Sequence, residues 1–422
     1  MTTADLGSGV DDEKTAPVPL SRNRNYNILW TSQLISQLAS SMISIAIPLL
    51  ILANTGSALQ VGVAASVIAV ARMVANVPAG VVADRLDRRR IMLTCQALRA
   101  LAITSLMAAA LAGEFSLPHV LIVAALEGVL VSAFEPAEDA ALPGIVPAEQ
   151  LSEAVARNTA RPYIAHLLGP AAAGVVFAVH PMLPFAIIAV AQAGSCLALV
   201  FLRLPRPSRA DTPSGAIGED VRGGFRWVLG HKVIRSTLAW LVFTQLVFSA
   251  LIVVIISGSS QSDVSSTEIG FMMAFFGAGG ILGASVASRL YEAVPSRVIV
   301  IGFSFVAAGL TALMAAVPAG IPFGVVLGAT SFFVPVTVTA IMTYQMMVTP
   351  DELRGRLSGI VGLVTGGAGA LGPTIGGLLM ADSGSGPTSL LLCAACLGAV
   401  ALGSLCSPTL RRFPSVRGEV AG

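Results

Sequence analysis

Long apolar runs follow one another from about Tyr26 to Cys406, broken only by short polar stretches. Each is near the roughly 20 residues that a bilayer-spanning helix needs. The pattern predicts helices near 26–53, 58–83, 89–112, 118–141, 154–178, 182–203, 233–257, 266–291, 297–318, 321–347, 355–380 and 386–406. The runs are too long and continuous for barrel strands, which alternate over about 10 residues. An open sheet would leave backbone groups unpaired in lipid. The expected fold is therefore an all-α integral membrane protein with 12 transmembrane helices.

Composition agrees with the pattern. The chain has 422 residues, of which 55% are hydrophobic and 11% charged. A soluble domain carries about 25% charged residues, so an ordinary cytosolic enzyme is excluded. A net charge of +2 is too small to suggest nucleic acid as a partner.

The placement of charge says more. Of the 25 Lys and Arg, all but Arg72, Arg99 and Arg161 fall at span ends, loops or tails that lie on one side. The opposite loops carry Glu114, Asp263, Glu268 and Asp382 instead. Positive charge stays on the cytoplasmic side, which predicts an even number of spans and both termini in the cytoplasm. Residues 1–24 read as a disordered cytoplasmic tail, 25–204 as a first six-helix bundle, and 205–232 as a linker rich in Pro, Gly and Ser. A second bundle covers 233–407, and 408–422 form a cytoplasmic tail. The five cysteines lie in apolar runs. The Cys393–Cys396 spacing has no second pair or nearby His to complete a metal site, so no metal is expected.

The chain repeats itself. Val146-Pro147-Ala148-Glu149 leads to Gly169-Pro170-Ala171-Ala172-Ala173-Gly174. Thr349-Pro350-Asp351-Glu352 leads to Gly372-Pro373-Thr374-Ile375-Gly376-Gly377, with matching positions 203 residues apart. Helix pairs 4–5 and 10–11 are therefore equivalents in two halves of the same orientation, a layout of secondary transporters.

Several motifs carry a family resemblance. Gly80-Val81-Val82-Ala83-Asp84-Arg85-Leu86-Asp87-Arg88-Arg89-Arg90 resembles the signature loop of the major facilitator superfamily, with Asp87 where a second Gly is usual. Phe134-Glu135-Pro136-Ala137, the Val-Pro-x-Glu turn, the helix 5 Gly-Pro element and Gly355-Arg356 resemble its siderophore-exporter and macrolide-efflux branch. The resemblance implies two pseudo-symmetric six-helix halves. It also implies a conformational latch of Gly80, Asp84, Arg85, Arg88 and Asp139. In it, the Asp84 carboxylate meets the helix 11 N-terminus, whose free N–H groups favour an anion. Arg88 is expected to pair with Glu138 or Asp139. Arg89 and Arg90 are expected only to enforce topology.

The elements Gly169, Pro170, Gly174 and Gly372, Pro373, Gly376, Gly377 combine a helix kink with close helix approach. The resemblance places them between the halves and links the helix 5 copy with antiport, although Ala173 stands where Gly is usual. Ordinary small-residue packing explains them equally well. The Gly277, Gly279, Gly280, Gly283 cluster follows no strand, so it is no nucleotide loop.

Charges inside a membrane are functional candidates by default. Arg72, Arg99, Glu127, Arg161 and His166 all fall in the first half. Glu127 and Arg72 lie at similar depth and are expected to pair, with Glu127 as proton carrier and Glu138, 11 residues on, passing protons inward. A static pair that fixes helix packing is the competing reading. Helices 1, 4, 7 and 10 line the cavity in this superfamily. The candidates there are Gln33, Gln37, Ser40 and Ser44, then Trp240, Gln245 and Ser249, then Thr339, Thr343 and Tyr344. Hydroxyls bonded to their own helices are the alternative. Helix 1 has Ser40 and Ser41 where the branch often has an acid.

Aromatic rings among hydroxyls suit a bulky amphipathic small-molecule substrate. The resemblance implies a monomeric plasma-membrane carrier that exports drugs, an antibiotic or a siderophore at the expense of the proton gradient, without a cofactor. A metabolite importer is the alternative. An enzyme or receptor lacks the loop constellation or soluble module it needs. ATP is not expected as energy source, since neither Lys14 nor Lys232 follows a glycine-rich loop.

Overall fold

In the computed structural model the described residues are 19–202, 204, 226, 228–383 and 385–411. The side chains of Val77, Gly80–Arg85, Ala148, Ser152, Ala156, Asp351, Glu352, Gly355 and Arg356 are outside the description. So are residues 205–225 and the chain ends, where most of the expected linker and tails fall.

Among the described residues twelve helices are long and apolar enough to cross a membrane. They are α1 Arg24–Thr55, α2 Ala58–Arg85, α3 Arg88–Leu111, α4 Leu117–Ala141, α5 Leu151–Val179 and α6 Leu183–Val200 in the first half. The second half holds α7 Lys232–Gln261, α8 Ser266–Ala293, α9 Ser296–Met314, α10 Ile321–Val348, α11 Asp351–Ser383 and α12 Gly386–Cys406. Each matches a predicted span.

The boundaries have local causes. Gly56 ends α1 in the left-handed conformation at φ 63°, and its N–H reaches the Leu52 carbonyl at 2.9 Å. That conformation costs a residue with a Cβ but not glycine. Asp87, the residue in place of the usual second Gly, caps α3 by accepting from the N–H groups of Arg89 at 2.9 Å and Arg90 at 3.3 Å. The α11 helix starts at Asp351, four residues before the predicted start. Pro350 keeps Thr349 extended (φ −90°, ψ 126°), which ends α10 and leaves the next residue free to begin a new helix.

Packing repeats between the halves. In the first, α1 packs on α5 and α6, α2 on α4, and α3 on α4 and α6; in the second, α7 packs on α11 and α12, α8 on α10, and α9 on α10 and α12. Across the halves the major contacts are α2 with α11 and α5 with α8. Exchanging halves maps each of these contacts onto the other. An even number of spans brings the start of α1 and the end of α12 to one face, called here the terminal face.

Candidate functional site

The Gly-Pro elements, expected between the halves, lie only partly at that contact. A Cβ at Gly169 would strike the backbone of α1 around Leu38 and Met42, and one at Gly372 the equivalent stretch of α7 around Leu246 and Ala250. Each first Gly thus docks its own half. Gly376 likewise meets Ala250 of α7, whereas Pro170, Gly174, Pro373 and Gly377 reach the other half. The Pro170 carbonyl sits 2.7 Å from where a Cβ of Gly270 in α8 would be, and the Pro373 carbonyl abuts Gly62 in α2. Gly174 meets Gly270, and Gly377 meets Ala58 and Leu59. Gly277 of α8 lies against the His166 carbonyl, which Pro170 deprives of its helical N–H donor. Ser66 of α2 accepts from the Thr374 N–H of α11 at 3.0 Å and pairs with the Thr374 hydroxyl at 2.7 Å.

These contacts on α2 and α11 belong to the halves of the two helices away from the terminal face. Toward the terminal face the same helices part. A cavity of about 650 Å³ opens between them, lined by Arg72, Met73 and Asn76 of α2, Ser132 and Glu135 of α4, Gln245 of α7, and Ser358, Gly362, Thr365 and Gly366 of α11. A second, smaller chamber of about 210 Å³ lies within the second half among Trp240, Thr244, Gln245, Phe248, Phe276 and Phe303. Gln245 lines both.

Three ion pairs tie α4 to its neighbours. The expected Arg72–Glu127 pair is not formed. Arg72 instead donates from Nη2 to both carboxylate oxygens of Glu135, at 3.1 and 3.4 Å, with both side chains about half exposed. Glu127 is held by Arg99 of α3, with Arg99 Nε donating to Oε2 at 2.9 Å and Nη2 to Oε1, and both side chains are buried. The physical reason is helix periodicity. Gly128 meets the α2 backbone at Ile68 and Arg72, so the expected depth is right. Glu127 stands one residue, about 100°, round from Gly128 and faces α3. Ser132 and Glu135 follow Gly128 by four and seven residues and so share its face, and Ser132 donates to the Arg72 carbonyl at 3.1 Å.

The third pair corrects another expectation. Glu138 is buried and bonded to Arg161 of α5 rather than to Arg88. Arg88 donates to the Ala140 carbonyl at 2.7 Å, and Asp139 is exposed. Glu127 and Glu138 thus face different helices, each with its own arginine. Arg89 does more than set topology: its Nε donates to the Leu199 carbonyl at 3.4 Å and its Nη2 to Val200, which satisfies the end of α6. The latch residues Gly80, Asp84 and Arg85 lie outside the described side chains.

The α1 stripe divides. Ser40 accepts from Arg99 and contacts Glu127 at 3.5 Å. Ser36, absent from the expected stripe, accepts from Arg99 at 3.0 Å and from Gln96 at 2.8 Å, extending the network into the bundle core. Gln33 is buried with its Nε2 unpaired, and Gln37 is half-buried with its Oε1 unpaired. Ser44 is exposed and bonds back to the Ser41 carbonyl at 2.7 Å, the alternative foreseen for such hydroxyls. In α7, Gln245 donates to Ser249 at 3.3 Å, and Trp240 donates to Ser304 at 2.8 Å. In α10, Thr339 and Thr343 are half-buried and Tyr344 is buried.

Two six-helix halves joined through α2–α11 and α5–α8, closed on one side and open on the other around a polar cavity, define a transporter of the major facilitator type. The comparisons narrow this. Residues 14–416 match the family described as transmembrane secretion effector, and the chain belongs to that family. It is similar to the enterobactin exporter EntS of Shigella boydii serotype 18, at 25% identity over 341 residues, covering 79% of this chain and 80% of that one. EntS of Escherichia coli O139:H28 matches at the same identity and coverage. Among solved structures, a mutant form of the nucleoside transporter NupG superposes with a TM-score of 0.72 at 13% identity, covering 90% of this chain and 98% of that one. An inward-facing, occupied bacterial homolog of the human lysosomal transporter Spinster gives 0.70 at 13% identity, covering 94% and 100%. Likeness at that identity speaks for the fold. The protein is a multi-pass membrane transporter, not an enzyme.

Proposed function

We propose that the chain exports small organic molecules across the plasma membrane by proton antiport, with the two halves rocking about the cavity. The observation that carries this reading is the Arg72–Glu135 pair, a half-exposed acid and base facing an open cavity. An exchangeable carboxylate is what a proton-driven carrier requires. The buried Glu127 and Glu138 are each locked onto a buried arginine. The positive-inside pattern supports a cytoplasmic terminal face, and a cavity open there is where an exporter collects its substrate. The similarity to enterobactin exporters supports export and a siderophore, drug or antibiotic as cargo. No cofactor enters this scheme, and one copy of the chain contains the whole cavity.

The test is flux in proteoliposomes holding the purified chain, with a fluorescent organic cation as substrate. Export predicts that an imposed pH gradient drives uptake into inside-out vesicles and that a protonophore abolishes it. Uptake driven into right-side-out vesicles makes the chain an importer. Flux indifferent to the gradient removes the proton coupling.

A further inference from the structure

We propose that the substrate site spans both halves, with the ring of an aromatic amine in the α7–α10 chamber and its ammonium group on Glu135. This rests on the export reading for the cavity's role and adds the chemistry of the cargo.

The chamber is built for a flat apolar group. Phe248 and Phe303 lie nearly parallel, with centroids 6.2 Å apart and 12° between planes. Trp240 meets Phe303 edge-on at 5.7 Å and is held by its bond to Ser304. Aromatic walls of this kind favour stacked and edge-to-face rings. One polar atom in the chamber is unaccounted for. Thr244 is 9% exposed, lines the chamber, and its Oγ1 has no partner. A buried hydroxyl without a bond costs free energy, and a bound ligand offering an acceptor would remove that cost. Gln245, common to both spaces, joins the chamber to the wider cavity.

Across the cavity stands Glu135. From α2 it faces Arg72. On its own helix Glu138 is taken by Arg161 of α5, and Asp139 is exposed. From α3, Arg99 is taken by Glu127. His166 of α5 lies near enough to Arg72 to interact with it. The facing cavity walls of α7 and α11 are uncharged at Gln245, Ser358 and Thr365. Arg72 therefore neutralises Glu135 in the empty carrier. A substrate ammonium displaces Arg72 from the carboxylate. A proton taken up by Glu135 converts it to a neutral acid that no longer holds the ammonium. Each turnover exchanges one cation for one proton, and the pair together with its cargo carries the same charge in both loaded states.

The experiment measures equilibrium binding of three probes that share one ring system, naphthylmethylamine, naphthalenemethanol and naphthoate, to the full chain in lipid nanodiscs. The amine should bind most tightly, and its affinity should fall on acidification, by up to about tenfold per pH unit, as competition with a single proton requires. Glu135→Gln should erase the pH dependence and the advantage of amine over alcohol. Phe248→Ala should weaken all three probes by a similar factor, roughly five- to tenfold, and leave the pH dependence of the amine intact. Comparing probes within one variant separates these effects from damage to the fold. Tightest binding of naphthoate would assign the contact to Arg72 and overturn the proposal. So would binding of none of the three, a pH-independent amine, or an unchanged Phe248→Ala. Binding is read without a gradient, so it can succeed where gradient-driven flux fails, and the two readings fall separately.

Discussion

At the scale of single residues, three glutamates of the α4 helix divide into two kinds. Glu127 and Glu138 are buried beside Arg99 and Arg161. Glu135 is reachable from the cavity. Removing one partner of a buried pair leaves an uncompensated charge and costs about 3–5 kcal/mol. Glu127→Gln should therefore lower the thermal unfolding midpoint and the yield of folded protein, and Arg99→Met with Glu127→Leu should restore much of the loss. Glu135→Gln should unfold like the wild type and lose gradient-driven flux. A Glu127→Gln protein of normal stability that has lost only its proton dependence would return the carrier role to Glu127. The charges themselves were legible in the sequence, and so was the depth of Arg72. Partner choice was not, because it turns on about 100° of helix rotation. The spacing Gly128, Ser132, Glu135 held the missing signal, since only a stripe at i, i+4, i+7 can follow a packed neighbour.

At the scale of helices, α11 has two unlike ends. Its Pro373–Gly377 portion is pressed against α2. Its Gly359 and Gly362 face open space, with no heavy atom within 4 Å of a Cβ placed there. Under the proposed rocking, the glycines idle at the open end are the surface that meets α2 when that end closes. Gly362→Val should thus fit the present state without strain and hinder the alternate one, and so leave a cysteine introduced in the cavity by Ser358→Cys accessible from the terminal face when a gradient is applied. Gly62→Val should do the opposite. Its branched side chain has no room against the Pro373 carbonyl, so the far side should open and label more readily. Equal labelling in both variants and the wild type would mean these contacts do not set the equilibrium. The two Gly-Pro elements were visible as a repeat because proline and glycine are rare enough in combination to mark a register. Their division of labour, with Gly169, Gly372 and Gly376 inward and Pro170, Gly174, Pro373 and Gly377 across the interface, needed the neighbouring helices.

At the scale of the whole molecule, symmetry constrains the proposed motion. Contacts of the first half recur in the second under exchange of α2–α11 with α5–α8, so a movement that separates both contacts at one end brings them together at the other. Spin labels report this directly. Leu86 and Met347 are exposed at helix ends on the terminal face, and Glu114 and Gln261 at the opposite face. In Leu86→Cys with Met347→Cys, a label pair should show a shorter distance once the carrier turns over, by several ångströms if the motion is of rigid halves. In Glu114→Cys with Gln261→Cys, the distance should lengthen over the same range of pH. Changes of opposite sign require a pivot between the two faces. Changes of the same sign would instead describe a bundle that swells as one body, in which the sealed and open ends have no mechanical link.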